Sequence, residues 1–314
     1  MRSLDSFARI GLGAFPTPIH RLDNISTLLH TNVFLKRDDL NGLGLGGNKT
    51  RKLEFLLADA QAQGAELVFT TGQAQSNHAM LTAAACARLG LRCILILKKR
   101  GVTERLGNQL LEHLMGTEVL FMDTDDYADI YAEMDRIGTS QGVPYYKIPC
   151  GGSNALGSLG YVDCVREITG QGSFDHLICA EGSGGTMAGL ALGAKLFAPD
   201  MKVHGMMVDT DPFEVITPAL MREAATLLEA DVEITPADYH LRDMCGPGYS
   251  ISSPEGREAI ECLASREGIF LDPVYTGKAF AGLLAMAREG AFGPEDRVLF
   301  LHSGGAGGLF AAKL

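Results

Sequence analysis

One lysine, Lys49, stands between a Gly46-Gly47-Asn48 turn and the run Thr50-Arg51-Lys52-Leu53-Glu54, whose residues favour a helix. Desolvation penalises an ammonium, so a lysine lodged among glycines is pushed toward its neutral form. A neutral lysine amine is a nucleophile suited to a Schiff base with a carbonyl compound. The alternative at this point is a surface lysine at a helix start, and the neighbouring motifs bear on the choice.

Several other loops carry groups fit for chemistry. Ala180-Glu181-Gly182-Ser183-Gly184-Gly185-Thr186 follows an apolar strand-like run and opens a helical one. Small residues there let backbone N–H groups converge on an anion, helped by the positive end of a helix, and Ser183 and Thr186 add hydroxyl donors. No G-K-[ST] follows, which excludes a Walker A nucleotide loop. Gly42-Leu43-Gly44-Leu45-Gly46-Gly47 formally matches G-x-G-x-x-G, but several residues separate it from the preceding strand, which makes a dinucleotide fingerprint a poor reading. Thr71-Gly72-Gln73-Ala74-Gln75-Ser76-Asn77-His78 also runs from strand to helix, where Ser76 can serve as an N-cap. No histidine and acid are spaced to activate Ser76 as in a hydrolase triad. Leu271-Asp272-Pro273-Val274-Tyr275-Thr276-Gly277-Lys278 and Phe300-Leu301-His302-Ser303-Gly304-Gly305 complete the set. Taken alone, Tyr275 reads as a half-buried core tyrosine and Cys150 as a packing residue.

Bulk properties remove whole classes of function. Of 314 residues 46% are hydrophobic and 21% charged, ordinary for a globular chain of two domains or one large one. The formal net charge of -11 argues against nucleic acid and anionic membranes as partners. No apolar run approaches the roughly 20 residues that span a bilayer, and the stretch Met1 to Pro18 lacks the apolar core of a signal peptide. Seven cysteines without a C-x-x-C pair predict reduced thiols and a cytoplasmic location. Eight histidines show no ligand spacing, so no metal site is expected.

These loops need a scaffold. Strands are predicted at 33–36, 67–70, 93–97, 119–122, 145–148, 177–180, 203–208 and 298–302. Helices are predicted at 52–63, 76–89, 103–114, 127–141, 153–169, 185–197, 254–267 and 278–289. This alternation predicts an α/β fold of mostly parallel, helix-covered sheets. Gly90, Gly116 and Gly268 each follow a helical run and suit a left-handed C-cap. Residues 51–150 hold four strand–helix units, enough for a small domain. Gly151-Gly152-Ser153 reads as a hinge with Ser153 as N-cap, and residues 1–50 with 151–314 form the larger domain. Ligands of open α/β sheets lie at the carboxyl ends of strands, where these loops fall.

Together the segments resemble the pyridoxal-phosphate enzymes of fold type II, specifically the D-cysteine desulfhydrase and 1-aminocyclopropane-1-carboxylate deaminase family. The resemblance runs from Thr17-Pro18 and Lys36-Arg37-Asp38-Asp39 through GGNKTRKLE, QSNHA, IPCGGSNALGSLGY and GSGGTMAG to GIFLDPVYTGKA and LHSGGAGGLF, in family order. It implies two open, twisted, mostly parallel sheets, as in the β subunit of tryptophan synthase, with the active site between the domains. It further implies pyridoxal 5'-phosphate as cofactor and a homodimer. On that resemblance Lys49 carries the cofactor as a Schiff base, and Lys52 meets its phosphate together with Gly182, Ser183, Gly184, Gly185 and Thr186. Asn77 bonds the 3'-oxygen, Tyr275 stacks on the ring, and Ser303 faces the ring nitrogen. Ser76, Asn77, His78 and Tyr249 meet the substrate, with Ser76 and Tyr275 assisting Lys49 in proton transfer.

A serine hydroxyl donates to a neutral ring nitrogen but does not stabilise a pyridinium as a carboxylate would. The resulting weaker electron sink shortens the life of a carbanion and favours loss of a β-substituent over racemisation. The cyclopropane deaminases carry Glu after the tyrosine, where this chain has Thr276, which favours elimination over ring opening. The expected reaction is therefore α,β-elimination from D-cysteine, giving pyruvate, sulfide and ammonia. The alternatives on the same scaffold are an L-cysteate sulfo-lyase or the cyclopropane deaminase. Relatives continue QSNH with a residue and then Arg; here Ala79-Met80-Leu81 follows, which disfavours a sulfonate. The 98–108 segment also departs from the family and is a candidate for altered specificity. A nicotinamide-dependent oxidoreductase and a non-catalytic amino-acid sensor are the readings from other classes; the sensor would have lost Lys49.

Overall fold

The computed structural model describes residues 1–312. A short edge strand β1 (Ile19–Arg21), a helix α1 (Asp23–Leu29) and β2 (Asn32–Lys36) lead to α2 (Lys49–Ala62). The chain then alternates through β3 (Leu67–Gln73), α3 (Asn77–Leu89), β4 (Arg92–Lys98), α4 (Gly107–Leu114), β5 (Glu118–Met122), α5 (Tyr127–Gln141) and β6 (Tyr145–Lys147). It continues with α6 (Ala155–Gln171), β7 (His176–Glu181), α7 (Gly185–Phe197), β8 (Lys202–Met207), α8 (Phe213–Leu227) and β9 (His240–Asp243). The last elements are α9 (Pro254–Glu267), α10 (Thr276–Arg288), β10 (Arg297–Leu301) and α11 (Ala306–Leu309).

Two sheets result. One is four-stranded and wholly parallel, in the order β5-β4-β3-β6. The other is six-stranded, in the order β1-β2-β10-β7-β8-β9, and parallel except for β1 against β2. Parallel strands covered on both faces must be apolar throughout, which is why Ile94–Leu97 and Leu177–Cys179 read as unbroken hydrophobic runs. One core layer joins α6, α7 and α8 to the large sheet, and a second joins α9 and α10 to its other face. Helices α2 and α3 cover one face of the small sheet and α5 the other. Among the described residues no helix is long and apolar enough to cross a membrane.

The α/β architecture matches the expectation, and the differences lie at element ends and edges. Helix α2 begins at Lys49 itself, three residues before the predicted start. The helix predicted from 103 begins at Gly107, which has φ 53° and where a Cβ would stand 2.5 Å from Gly307 O. Ser153 does not cap α6: Asn154 does, its Oδ1 accepting from Gly157 N at 2.8 Å. Gly90 and Gly268 are left-handed C-caps, and Gly116 adopts the same conformation one residue beyond α4's cap. Strands β1 and β9 leave no mark in the sequence pattern because they are short, charged edge strands, and α8 is masked by the Pro218 inside it.

Candidate active site

The carboxyl ends of β3, β7, β8 and β10 open onto one cavity of about 420 Å³. Lys49, Ser76, Asn77, His78, Gly182, Ser183, Gly184, Thr186, Tyr249, Tyr275 and Ser303 all line it. Lys52 and Gly185 lie just behind the wall: a Cβ on Gly185 would stand 2.9 Å from Lys52 Nζ. Residues as distant in sequence as Lys49 and Ser303 are thus brought together by chain crossovers alone.

The turn before Lys49 is held by its glycines. Gly46 has φ 73°, and a Cβ there would sit 1.8 Å from Asp39 O, so no larger residue fits. Gly47 bridges to Gly304, and Asn48 N donates to Ser303 O at 3.0 Å, which ties the turn to the loop after β10. The formal G-x-G-x-x-G stretch shapes this turn. Asn48 Nδ2 also donates to Thr186 Oγ1 at 3.0 Å. Lys49 and Lys52 share one acceptor, Gly151 O, at 3.2 and 3.1 Å, and Lys52 also donates to Ser153 Oγ at 3.2 Å. Ser153 thereby serves the site instead of the helix, since its hydroxyl accepts from Gly185 N at 3.2 Å and contacts Ser183 Oγ at 2.9 Å.

Charge at the cavity is poorly compensated. Burial pulls the Lys49 amine down to about 8, although Cys150 and Glu181 pull the other way. Burial, then the like charge of Lys49, pushes Lys52 well below an ordinary ammonium. Burial and both lysines hold His78 neutral, its Nε2 against Thr70 Oγ1 at 2.8 Å. Burial keeps the Tyr275 and Tyr249 hydroxyls protonated, and the two share a hydrogen bond. Ser76 accepts from Ala79 N at 3.1 Å as the N-cap of α3, so its hydroxyl hydrogen remains for the cavity.

Four residues to which local pattern assigns no role at the site support this arrangement. Asn108, buried at the start of α4, donates through Nδ2 to Asn77 Oδ1 at 2.8 Å and to Gln75 O at 2.9 Å. That leaves the Asn77 amide hydrogens as its free donors. Lys278 donates to Cys245 O at 2.7 Å and Gly248 O at 2.8 Å, which pins the loop that carries Tyr249. Cys150 lines the cavity as a protonated thiol, raised by burial and donating to Tyr127 Oη at 3.3 Å. Glu181 lines it as well, with one carboxylate oxygen unpartnered among the described residues. The sequence gives no signal for these contacts, because each partner is distant along the chain.

The residues fit a phosphorylated aromatic aldehyde. Among the described residues Lys49 and Lys52 have no carboxylate partner within salt-bridge range, which is unusual for buried ammoniums and matches a site completed by an anion. Gly182 is equally constrained: a Cβ there would meet the Tyr275 ring at 3.1 Å. The first turn of α7, with Thr186 and Ser153, supplies donors for a phosphate, and Lys49 supplies the amine for the aldehyde.

Comparison with known proteins points the same way. A family model described as pyridoxal-phosphate dependent enzyme matches residues 10–304. A putative 1-aminocyclopropane-1-carboxylate deaminase of Pyrococcus horikoshii is 44% identical over 98% of this chain and 94% of its own. A D-cysteine desulfhydrase of Salmonella newport is 40% identical over 99% of this chain and 98% of its own. The crystal structure of an ACC deaminase homologue superposes with a TM-score of 0.92 at 42% identity, covering 98% of this chain and 94% of that one. A hydrogen sulfide-producing enzyme of Fusobacterium nucleatum shares the fold, with a TM-score of 0.69 at 17% identity over 94% and 96% of the two chains.

Proposed function

Because the chain belongs to the pyridoxal-phosphate-dependent enzymes of fold type II, we propose that it eliminates the β-substituent of a small amino acid, D-cysteine first among them. With one water, D-cysteine becomes pyruvate, sulfide and ammonia. Bound pyridoxal 5'-phosphate supplies the electron sink that makes the substrate's Cα proton acidic. The chain's own residues do the rest in this reading. Lys49 Nζ would hold the cofactor, and as a free amine it is basic enough near pH 8 to take the substrate's Cα proton. Lys52, Ser183, Thr186 and the backbone from Gly182 to Gly185 would hold its phosphate. Asn77, oriented by Asn108, would offer its amide hydrogens to the cofactor, and Ser303 would offer its hydroxyl. Tyr275 would border the cofactor, and its hydroxyl, with that of Tyr249, would hold a proton for the leaving group. Ser76 and His78 orient the substrate carboxylate.

The observation that carries elimination over ring opening is the fate of Thr276. It is fully buried, donates to Asp272 Oδ1 at 2.7 Å and accepts from Asp272 N at 2.8 Å, so it brings neither a carboxyl nor a free hydroxyl to the cavity. A sulfonate substrate such as L-cysteate is disfavoured because residues 79–81 are apolar and buried, while Asp209 and Asp211 line the cavity. The identity to a putative cyclopropane deaminase supports that activity as the second reading. In the same reading residues 1–50 with 151–314 act as the large cofactor domain and 51–150 as the small one. The working form is a homodimer in the cytoplasm; the seven free cysteines support a reducing compartment.

The test is to incubate the purified enzyme with D-cysteine, L-cysteine, L-cysteate and 1-aminocyclopropane-1-carboxylate. Equal amounts of sulfide and pyruvate from D-cysteine are expected. Ammonia and 2-oxobutyrate from the cyclopropane amino acid, with nothing from D-cysteine, would replace the assignment by the second reading.

A further inference from the structure

Glu181 is a fully buried carboxyl at this cavity to which the proposed reaction gives no task. It ends β7 immediately before the glycine loop and is 1% exposed. Oε1 accepts from Thr217 Oγ1 of α8 at 2.9 Å, whereas Oε2 is buried with no partner among the described residues. The groups facing it are Lys49 and Lys52 from α2, Thr217 from α8, the Gly184 N–H, and Cys179 on its own strand. An orphaned carboxylate oxygen is costly to bury as an anion, and burial raises this carboxyl to about 7 despite Thr217, both lysines and the Gly184 N–H.

The role of Glu181 rests on the assignment of the adjoining 182–186 loop to the cofactor phosphate under the proposed function. A carboxylate and a phosphate dianion cannot both stay charged at close quarters without a large penalty. We propose that Glu181 takes up a proton when a phosphate ester enters the 182–186 loop, so that anchoring of the cofactor is coupled to pH. Protonated, Glu181 admits the phosphate; ionised, it opposes it. The affinity for phosphate-bearing ligands then falls as pH rises through the range where the free carboxyl ionises. One coupled proton limits the slope to about ten-fold per pH unit. Lys52 also gains a proton when an anion arrives, so only a comparison that leaves Lys52 in place isolates Glu181.

The experiment uses the full chain freed of cofactor and pyridoxamine 5'-phosphate, which has no aldehyde and so keeps Lys49 chemistry out of the readout. Its Kd is measured calorimetrically for the wild type and for Glu181→Gln between pH 6 and 8.5. The two proteins should agree at the acidic end, and the variant should bind about ten-fold more tightly at the alkaline end. Glu181→Ala provides the same readout should the glutamine variant not fold. A ratio of affinities that stays flat across pH overturns the proposal and leaves the phosphate reading standing. A wild type that binds pyridoxamine 5'-phosphate at no pH overturns both.

Discussion

Helix α2 presents two sets of buried charge on neighbouring residues, and they differ in how completely they are partnered. Arg51 points into a saturated network. It reaches Asp38 through Nε and Nη2 at 2.8 and 2.9 Å, and Glu167 through Nη1 and Nη2 at 2.9 and 3.0 Å. Tyr161 Oη donates to Asp38 at 2.7 Å, while Lys36 donates to Glu167, to Thr17 O and to Gln171. Two cations meet two anions, and the Arg51 guanidinium lies 4.2 Å from the Phe15 ring centroid. Against the effect of burial, Arg51 holds both Asp38 and Glu167 below the ordinary carboxylate range. On the cavity side Lys49 and Lys52 share a single carbonyl, and Glu181 has an oxygen with no partner among the described residues. There the shifts run toward neutrality, down for the lysines and up for the glutamate. The same helix therefore carries a finished ionic joint and an unfinished one. Charge paired within the protein builds the scaffold; charge left half-paired marks where a ligand completes the set.

The largest effect expected on either side is at Lys49. Lys49→Ala should lower turnover by a factor on the order of 10³ to 10⁴. Borohydride should then fix no cofactor on the chain, as read by mass spectrometry. Cofactor-free protein should lose no stability, since the substitution removes a poorly partnered amine; a marked loss would erase the contrast with Arg51.

Next comes Arg51→Met, which leaves Asp38 and Glu167 buried without their main cation. Denaturant unfolding should show a loss of about 3–5 kcal/mol. The folded pKa values of both acids lie below their ordinary 3.8 and 4.5, so the stabilisation is present above those values and is lost as pH falls through the lower folded ones. The wild type should accordingly weaken below about pH 4, and the variant much less. Equal acid sensitivity in both proteins would break the assignment of this joint to scaffold duty.

The smallest effect is the pH profile of the cofactor-free protein, where the cavity cluster acts with the opposite sign. Glu181, raised from 4.5 to about 7, contributes stability that is lost as pH climbs through that window. Lys49, lowered from 10.5 to about 8, contributes stability that is lost as pH falls toward 8. Relative to Glu181→Gln, the thermal stability of the wild type should therefore fall as pH climbs toward about 7, and relative to Lys49→Ala it should rise as pH climbs above about 8, read up to about pH 9.5 to stay below tyrosine ionisation. Differences that stay flat with pH would show that the two groups are better compensated than their contacts indicate.

Much of this molecule is legible from local pattern. The strand–helix alternation, the glycine turn before Lys49, the loop from Gly182 to Thr186 and the Ser76 cap follow from propensity and steric demand over a few residues. Edge strands β1 and β9 are not legible, because three or four half-exposed residues leave no periodicity to read. The Ser153 hydroxyl reads as a cap, but the chain folds it against Gly185, 32 positions away. Cys150 reads as mere packing, yet it shares the cavity wall with Tyr127.

What the amino-acid order determined alone was the chemical inventory: which amine, hydroxyls and glycines are available, and on which kind of element each sits. Only the tertiary structure decided which charges find partners. Arg51 meets Glu167 across 116 positions, and Glu181 meets Thr217 across 36. Protonation depends on burial and on neighbouring charge within a few ångströms, and those distances are set by how the sheets pack, not by spacing along the chain.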